Sequence, residues 1–235
     1  MESIDKISGT FGKRVQEAKG TVPAAVIKRL PRYHRYLGDL LREGKLRISS
    51  QELSRIMEVT ASQIRQDLNC FGGFGQQGYG YNIKYLHSKI SELLGVCEDY
   101  KAVIVGAGNL GKALAATHMF ERRGVRRVAM FDVDPEIIGT EIYGIPVHSV
   151  SELYSFCKRE GVDIGVLTVP KEAAYEVAEI MAKAGVGGIW NYANMELKLE
   201  DERVQVENIH LGDSLMTLCY RIKTSADTDG DGSDE

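Results

Sequence analysis

Apolar residues recur along this chain with two different periods, and the change between them divides it. From Pro23 the run AAVIKRLPRYHRYLGDLLREG sets Leu30, Tyr33, Leu37 and Leu41 along one side of a helix, with Pro31 a kink or restart and Gly44 a stop. Arg29, Arg32, Arg35 and Arg42 occupy its other faces. The next run, ISSQELSRIMEVTASQIRQDL, contains two capping boxes: Ser49 with Glu52 opens a helix carrying Leu53, Ile56 and Met57, and Thr60 with Gln63 opens one carrying Ile64 and Leu68. Only Glu58 and Val59 separate the two, which predicts a helix-turn-helix. CFGGFGQQGYGYNI is too glycine-rich for a helix and suits a β-ribbon with Gln76, Gln77 and Gly78 near its tip, the place of a wing. Tyr81 to Leu94 returns to helical spacing through Ile83, Leu86, Ile90, Leu93 and Leu94, and Gly95 ends it.

Beyond Lys101 short apolar runs alternate with helical stretches. Ala102 to Val105 and Val128 to Phe131 read as strands flanking a helix that carries Leu110, Leu114, Ala115 and Met119. Val147 to Tyr154 and Asp163 to Val169 repeat the alternation, with DIGVLTV a buried parallel strand that Pro170 halts. A helix from Glu172 to Lys183, a strand from Gly188 to Asn191 and a last strand over 204–211 follow. This is the pattern of an α/β domain with a doubly wound parallel sheet. Gly212 to Ile222 then predicts a closing helix with Leu215, Met216, Leu218, Cys219 and Ile222 around too much of its circumference for a lone surface helix, so a partner subunit should cover it. The expected organisation is therefore a mobile extension over 1–21, a small winged-helix domain over 22–95, a Rossmann-like domain over 96–211, a dimerisation helix over 212–223 and an acidic disordered tail over 224–235.

Charge sharpens the division. Residues 1–94 hold 15 Lys and Arg against 9 Asp and Glu, and residues 95–235 hold 14 against 24. A basic first part joined to an acidic remainder suggests that one end meets a polyanion. Neither a long apolar run nor an apolar N-terminal segment argues for a membrane span or a secretory signal, so a cytoplasmic location is expected. Cys70, Cys97, Cys157 and Cys219 are scattered with no CxxC, which argues against a zinc site or a disulfide framework.

Two chemistries are written into this frame. Gly106, Gly108 and Gly111 form GxGxxG, with Ala107, Asn109 and Leu110 completing the turn. The first glycine suits the tight turn, the second admits a pyrophosphate and the third lets helix pack on strand. Asp132, 21 residues past Gly111, can take both hydroxyls of an adenine ribose and repel a 2′-phosphate, so NADH and NAD+ are favoured over their phosphorylated forms. A plain strand-to-helix turn, coenzyme A or another adenine nucleotide remain alternatives. Thr168, Val169 and Pro170, and then Asn191 and Tyr192, stand at strand ends bordering the same crevice, or serve only packing there. On the second predicted helix of the helix-turn-helix, Ala61, Ile64 and Leu68 face inward and leave Ser62, Arg65, Gln66 and Asn69 on the outer face. Gln pairs bidentately with adenine and Arg with guanine, so this face can read bases, although such a motif also occurs without touching nucleic acid. Lys45, Arg47, Gln63, Gln76, Gln77 and Tyr79 complete the DNA-binding candidates.

Two other signatures mislead. GDSL at Gly212 to Leu215 opens the last helix instead of following a first strand, and the calcium-like DTDGDGSDE ends before its closing glutamate. A dehydrogenase would also need a substrate domain with an acid or base, and His148 and His210 have no obvious carboxylate partner at readable spacing. The nucleotide therefore reads as a signal and not a reagent.

VPAAVIKRLPRYHRYL, SSQELSRIMEVTASQIRQDL, FGGFGQQGYGYNIKYL, VGAGNLGKAL, FDVDP and LTVP, in this order over about residues 22–222, resemble the Rex family of NADH-responsive transcriptional repressors. The resemblance implies a winged-helix DNA-binding domain, a Rossmann domain for NADH and NAD+, a homodimer with a crossing C-terminal helix, and release of palindromic operator DNA on NADH binding. It also implies that the loop from Thr168 to Pro170 lies close to the nicotinamide, and that Arg35, Thr117 and His210 occupy the family's switch positions. This chain departs from the family there, with Thr117 for a tyrosine and His210 for an acid, and at Gln66 and Gln77, where relatives commonly carry basic residues.

Overall fold

A computed structural model describes residues 23–70, 75–76 and 80–229, with the side chains of 75–76 and 226–229 excepted. The expected extension over 1–21 and the wing-tip residues Gln77 and Tyr79 lie outside the described residues. The chain divides after Cys97 into two compact units.

The first unit begins with helix α1, Ala24–Arg42, which buries Val26, Leu30, Tyr33, Leu37 and Leu40. Pro31 neither divides this helix nor restarts it, and it sits on the helix's exposed side. After strand β1, Arg47–Ile48, helix α2, Ser50–Met57, opens on the full capping box, Ser49 Oγ accepting from the Glu52 amide at 3.1 Å and Glu52 accepting from the Ser49 amide at 2.8 Å. Glu58 makes the turn in the left-handed region, φ 54°, and helix α3, Ala61–Asn69, follows. Its cap is only half a box: Thr60 accepts from the Gln63 amide at 3.1 Å, but the Gln63 side chain turns to Asp67 instead of back to Thr60. Strands β2, Gly75–Gln76, and β3, Gly80–Asn82, complete an antiparallel sheet in the order β1-β3-β2. Gly80 has φ +69°, and a Cβ there would lie 2.7 Å from the Ile48 carbonyl, which keeps β1 and β3 close. Tyr81 belongs to that strand, so helix α4 runs only over Ile83–Leu94, with Asn82 capping it and Gly95 ending it at φ 67°. Leu53, Met57, Ile64 and Leu68 pack into one core with Tyr33, Leu37, Leu86 and Ile90.

The second unit is a seven-stranded sheet. Its strands are β4, Tyr100–Val105; β5, Val125–Asp132; β6, Glu141–Ile142; β7, Ile145–Ser149; β8, Ile164–Leu167; β9, Gly188–Asn191; and β10, Gln205–Asn208. They lie in the order β10-β9-β8-β4-β5-β7-β6, all pairings parallel except the β6–β7 hairpin at one edge. Helices α5, Asn109–Ala115, α6, Leu153–Glu160, and α7, Lys171–Lys183, connect them. Val103, Val105 and Phe131 point to one apolar layer and Ile104 and Met130 to the other, as expected of strands covered on both faces. The first crossover helix is shorter than its apolar spacing suggests; it ends at Ala115, and Met119 lies in the turn beyond it.

Helix α8, Leu211–Asp229, closes the chain and runs past Lys223, beyond which the sequence alone suggests a disordered tail. Leu211, Leu215, Met216, Leu218, Tyr220 and Ile222 are all more than half exposed on it.

Candidate functional site

From β4 the chain proceeds to β5 and β7 on one side and returns to β8, β9 and β10 on the other, so the order reverses at the carboxyl ends of β4 and β8. That is where a doubly wound sheet opens a crevice. The three fingerprint glycines stand there in three different situations. Gly106 has φ +100°, and a Cβ on it would meet the Thr168 carbonyl at 2.6 Å. Gly111 lies so close to the preceding turn that a Cβ would be 1.9 Å from the Gly106 carbonyl. Gly108 is different, because a Cβ there meets nothing within 4 Å. Two glycines are therefore demanded by the protein's own packing, while the third leaves open space at the entry to α5, the cradle into which a pyrophosphate would fit.

Thr168 binds the two sides of the crevice together. Its amide donates to Val105 O at 2.9 Å, and its hydroxyl reaches Gly106 O at 2.7 Å and Val105 O at 3.0 Å. Asp132 ends β5 half-buried; one oxygen accepts from the Ala107 amide at 2.6 Å, and the other from the amides of Val133 at 2.7 Å and Asp134 at 3.0 Å. A carboxylate thus stands at the edge of the glycine turn, with exposed Val133 beside it. Asn109 is exposed, Leu110, Val169 and Tyr192 are half-buried and Pro170 is exposed. Burial pushes the Tyr192 phenol up, and its ring lies 5.0 Å from that of Trp190.

Asn191, expected in the lining, spends its side chain within the protein. That side chain is buried, donating to Met195 O at 3.0 Å and Asn208 Oδ1 at 2.8 Å and accepting from the Ala193 amide at 2.9 Å. It shapes the turn after β9, and both of its amide protons are used there. Both histidines expected to lack a carboxylate have one: His210 Nε2 lies 2.9 Å from Glu196 Oε1, and His148 Nδ1 lies 3.7 Å from Glu152, four residues on. The first pairing crosses a loop and had no sequence signal; the second was legible as an i, i+4 spacing. Thr117 donates its hydroxyl to Leu114 O at 2.9 Å, and Arg35 is exposed beside the Tyr36 ring.

In the first unit Ser62, Arg65, Gln66 and Asn69 are all exposed on α3. Gln63 is instead drawn inward, donating to Asp67 Oδ1 at 2.8 Å. Asp67 is a fully buried carboxylate that no apolar periodicity reveals. Arg29 grips it with two bonds of 2.7 Å each, and Tyr33 adds a third donor at 2.9 Å. Burial pushes the Asp67 carboxyl up, but the bonds from Arg29, Gln63 and Tyr33 and the Arg29 charge outweigh it, so the acid is held below its ordinary range. Burial first, and then the bond to Asp67, push the Tyr33 phenol beyond the usual tyrosine range. This four-residue network fixes the rotation of α3 against α1. Lys45 pairs with Glu52 at 3.1 Å, and Arg47 and the backbone of Gln76 sit on the small sheet. Among the described residues no cluster of His, Cys, Asp and Glu is placed to hold a metal, and no helix is long and apolar enough to cross a membrane.

Comparison with known proteins divides the chain in the same two parts. Residues 21–69 match the model described as a putative DNA-binding protein N-terminus, and residues 97–195 match that of a CoA binding domain. The redox-sensing transcriptional repressor Rex of Clostridium botulinum (strain Alaska E43 / Type E3) is 49% identical over 201 residues, covering 86% of this chain and 95% of the relative. The Rex of Caldicellulosiruptor saccharolyticus is 51% identical, covering 87% and 93%. A crystal structure of RSP in complex with β-NAD+ and operator DNA superposes with a TM-score of 0.82 at 46% identity, over 91% of this chain and 99% of that one. The complex of RSP with β-NADH matches with the same score at 44% identity, over 89% and 98%.

Proposed function

The chain belongs to the Rex family of redox-sensing transcriptional repressors, and from that premise we infer that it binds operator DNA as a homodimer and lets go of it when NADH occupies the Rossmann-like unit. Transcription then follows the ratio of NADH to NAD+. The observation that carries this reading is the joining, in one polypeptide, of a winged-helix unit with an exposed polar recognition face and a doubly wound sheet whose glycine turn is open at Gly108 alone. The protein is a regulator and not an enzyme, in keeping with relatives named as repressors.

The residues fit a dinucleotide. Gly106 to Gly111 would cradle the pyrophosphate through backbone amides, Asp132 would take the ribose hydroxyls, and Thr168, Val169, Pro170 and Tyr192 would border the nicotinamide. When bound, the cofactor contributes binding free energy that differs between its oxidised and reduced forms, and no hydride is passed on. Asp132 also weighs against coenzyme A, the reading that the family model over 97–195 favours: a carboxylate beside the ribose would oppose its 3′-phosphate. Lys45, Arg47, Ser62, Arg65, Gln66, Asn69, Gln76, Gln77 and Tyr79 would meet DNA, and Arg35, Thr117 and His210 would relay the switch. Domain bounds of 22–95, 96–211 and 212–223 and a cytoplasmic location complete the proposal. A mobility shift on a palindromic operator, titrated separately with NADH, NAD+, NADPH and coenzyme A, tests it. Release by NADH alone is expected, and indifference to NADH would refute it.

A further inference from the structure

The four exposed side chains of α3 do not stand in equivalent positions. Arg65 is tied back across the turn, its Nη1 donating to Ser50 Oγ at 3.1 Å. Ser50 is the first residue of α2, next to the cap Ser49, and the same first turn holds Glu52 with Lys45 at 3.1 Å. In a helix-turn-helix the first helix crosses the DNA backbone while the second enters the major groove. A guanidinium leashed to the start of α2 therefore lies with the backbone-facing hydroxyls and Lys45, not over the groove.

What remains toward the groove is uncharged. Among the described residues no hydrogen bond holds the side chains of Ser62, Gln66 or Asn69, all three exposed. The inner face of α3 is fixed by the Asp67 network, so these three point outward from a helix that cannot rotate freely. A carboxamide donates to N7 of adenine while accepting from its N6 amino group, whereas guanine calls for two donors such as arginine supplies. Resting on the repressor reading above, we propose that α3 divides its work: Arg65 clamps a phosphate and reads no base, while Gln66 is the specificity-determining residue and selects adenine at one position of each half-site.

The test uses the full-length dimer with NAD+ and a randomised palindromic DNA library, followed by affinity measurements over a range of salt concentration on the selected sequence. Gln66→Ala is expected to lose the adenine preference at a single symmetric position, roughly tenfold or more in relative affinity, with the salt slope unchanged. Arg65→Gln is expected to select the wild-type sequence, bind every sequence more weakly, and flatten the slope of log affinity against log salt by about 0.9 per protomer. Arg65→Lys should restore most of that slope. A changed consensus in Arg65→Gln, or an unchanged one in Gln66→Ala, overturns the assignment. Failure of the wild-type protein to enrich any sequence refutes the repressor reading itself and the assignment with it. Both side chains are exposed, so unchanged melting temperatures show that folding is not what the variants alter.

Discussion

Replacing Arg29 with methionine leaves the Asp67 carboxylate buried with no cation. Asp67 has no exposed side-chain surface and Arg29 is 24% exposed, and the two are joined by a bidentate pair of 2.7 Å bonds. Removing one partner of a buried pair costs about 3–5 kcal/mol, because the other charge keeps its desolvation penalty. Tyr33 and Gln63 would still donate to Asp67, which places Arg29→Met toward the lower end of that range. Asp67→Asn abolishes the charge and sets an NH2 group where one carboxylate oxygen accepts from two of these donors, so its expected cost is also about 3 kcal/mol. Arg29→Met combined with Asp67→Leu should recover stability relative to Arg29→Met alone, since an apolar pair replaces an orphaned ion. Hydrogen exchange of peptides from residues 24–69 reads this unit separately from the sheet. A loss of about 3 kcal/mol corresponds to exchange roughly a hundredfold faster in α3. An Arg29→Met effect below about 1 kcal/mol, or a double variant worse than both singles, would refute the reasoning. The acid held down in the folded state also sets a sign: its stabilisation is full above the ordinary carboxylate range and is lost as pH falls through the depressed value, so α3 should loosen in acid before α7 does.

Other consequences are separable. Gly108→Ala should leave the melting temperature unchanged and weaken NADH about tenfold or more by calorimetry, whereas Gly111→Ala, whose methyl would meet the Gly106 carbonyl, should lower the melting temperature as well. Asp132→Ser should narrow the preference for NADH over NADPH about tenfold or more, measured by fluorescence titration of the two dinucleotides. Met216→Arg with Leu218→Arg on α8 should shift the dimer toward monomer in light scattering and weaken operator binding, while NADH binding to the glycine turn persists.

Much of this was legible in sequence because local chemistry and tertiary structure agree. The Ser49–Glu52 box, the αL glycine at Gly95 and the uninterrupted apolar core of β4 each need only their neighbours. What sequence could not give was pairing across distance. Asp67 looks like a surface residue until Arg29 and Tyr33, in another helix, arrive to bury it. Gln63 resembles a capping partner for Thr60, but the same carboxylate outcompetes the backbone for its amide. Asn191 carries the polarity of a ligand contact and is consumed by the turn it stabilises. Pro31 reads as a break, and is accommodated because α1 turns that face to solvent. At the fingerprint, spacing predicted three glycine roles, and only the packing around Gly106, Gly108 and Gly111 separates the two required by the protein from the one open to a ligand.

The central claim is that nucleotide and DNA compete through one protein, and reciprocity makes it measurable from either side. NADH affinity should be measured by fluorescence in the absence and presence of saturating operator. Operator should weaken NADH binding by the same factor by which NADH weakens operator binding. Equal NADH affinity with and without DNA would contradict it.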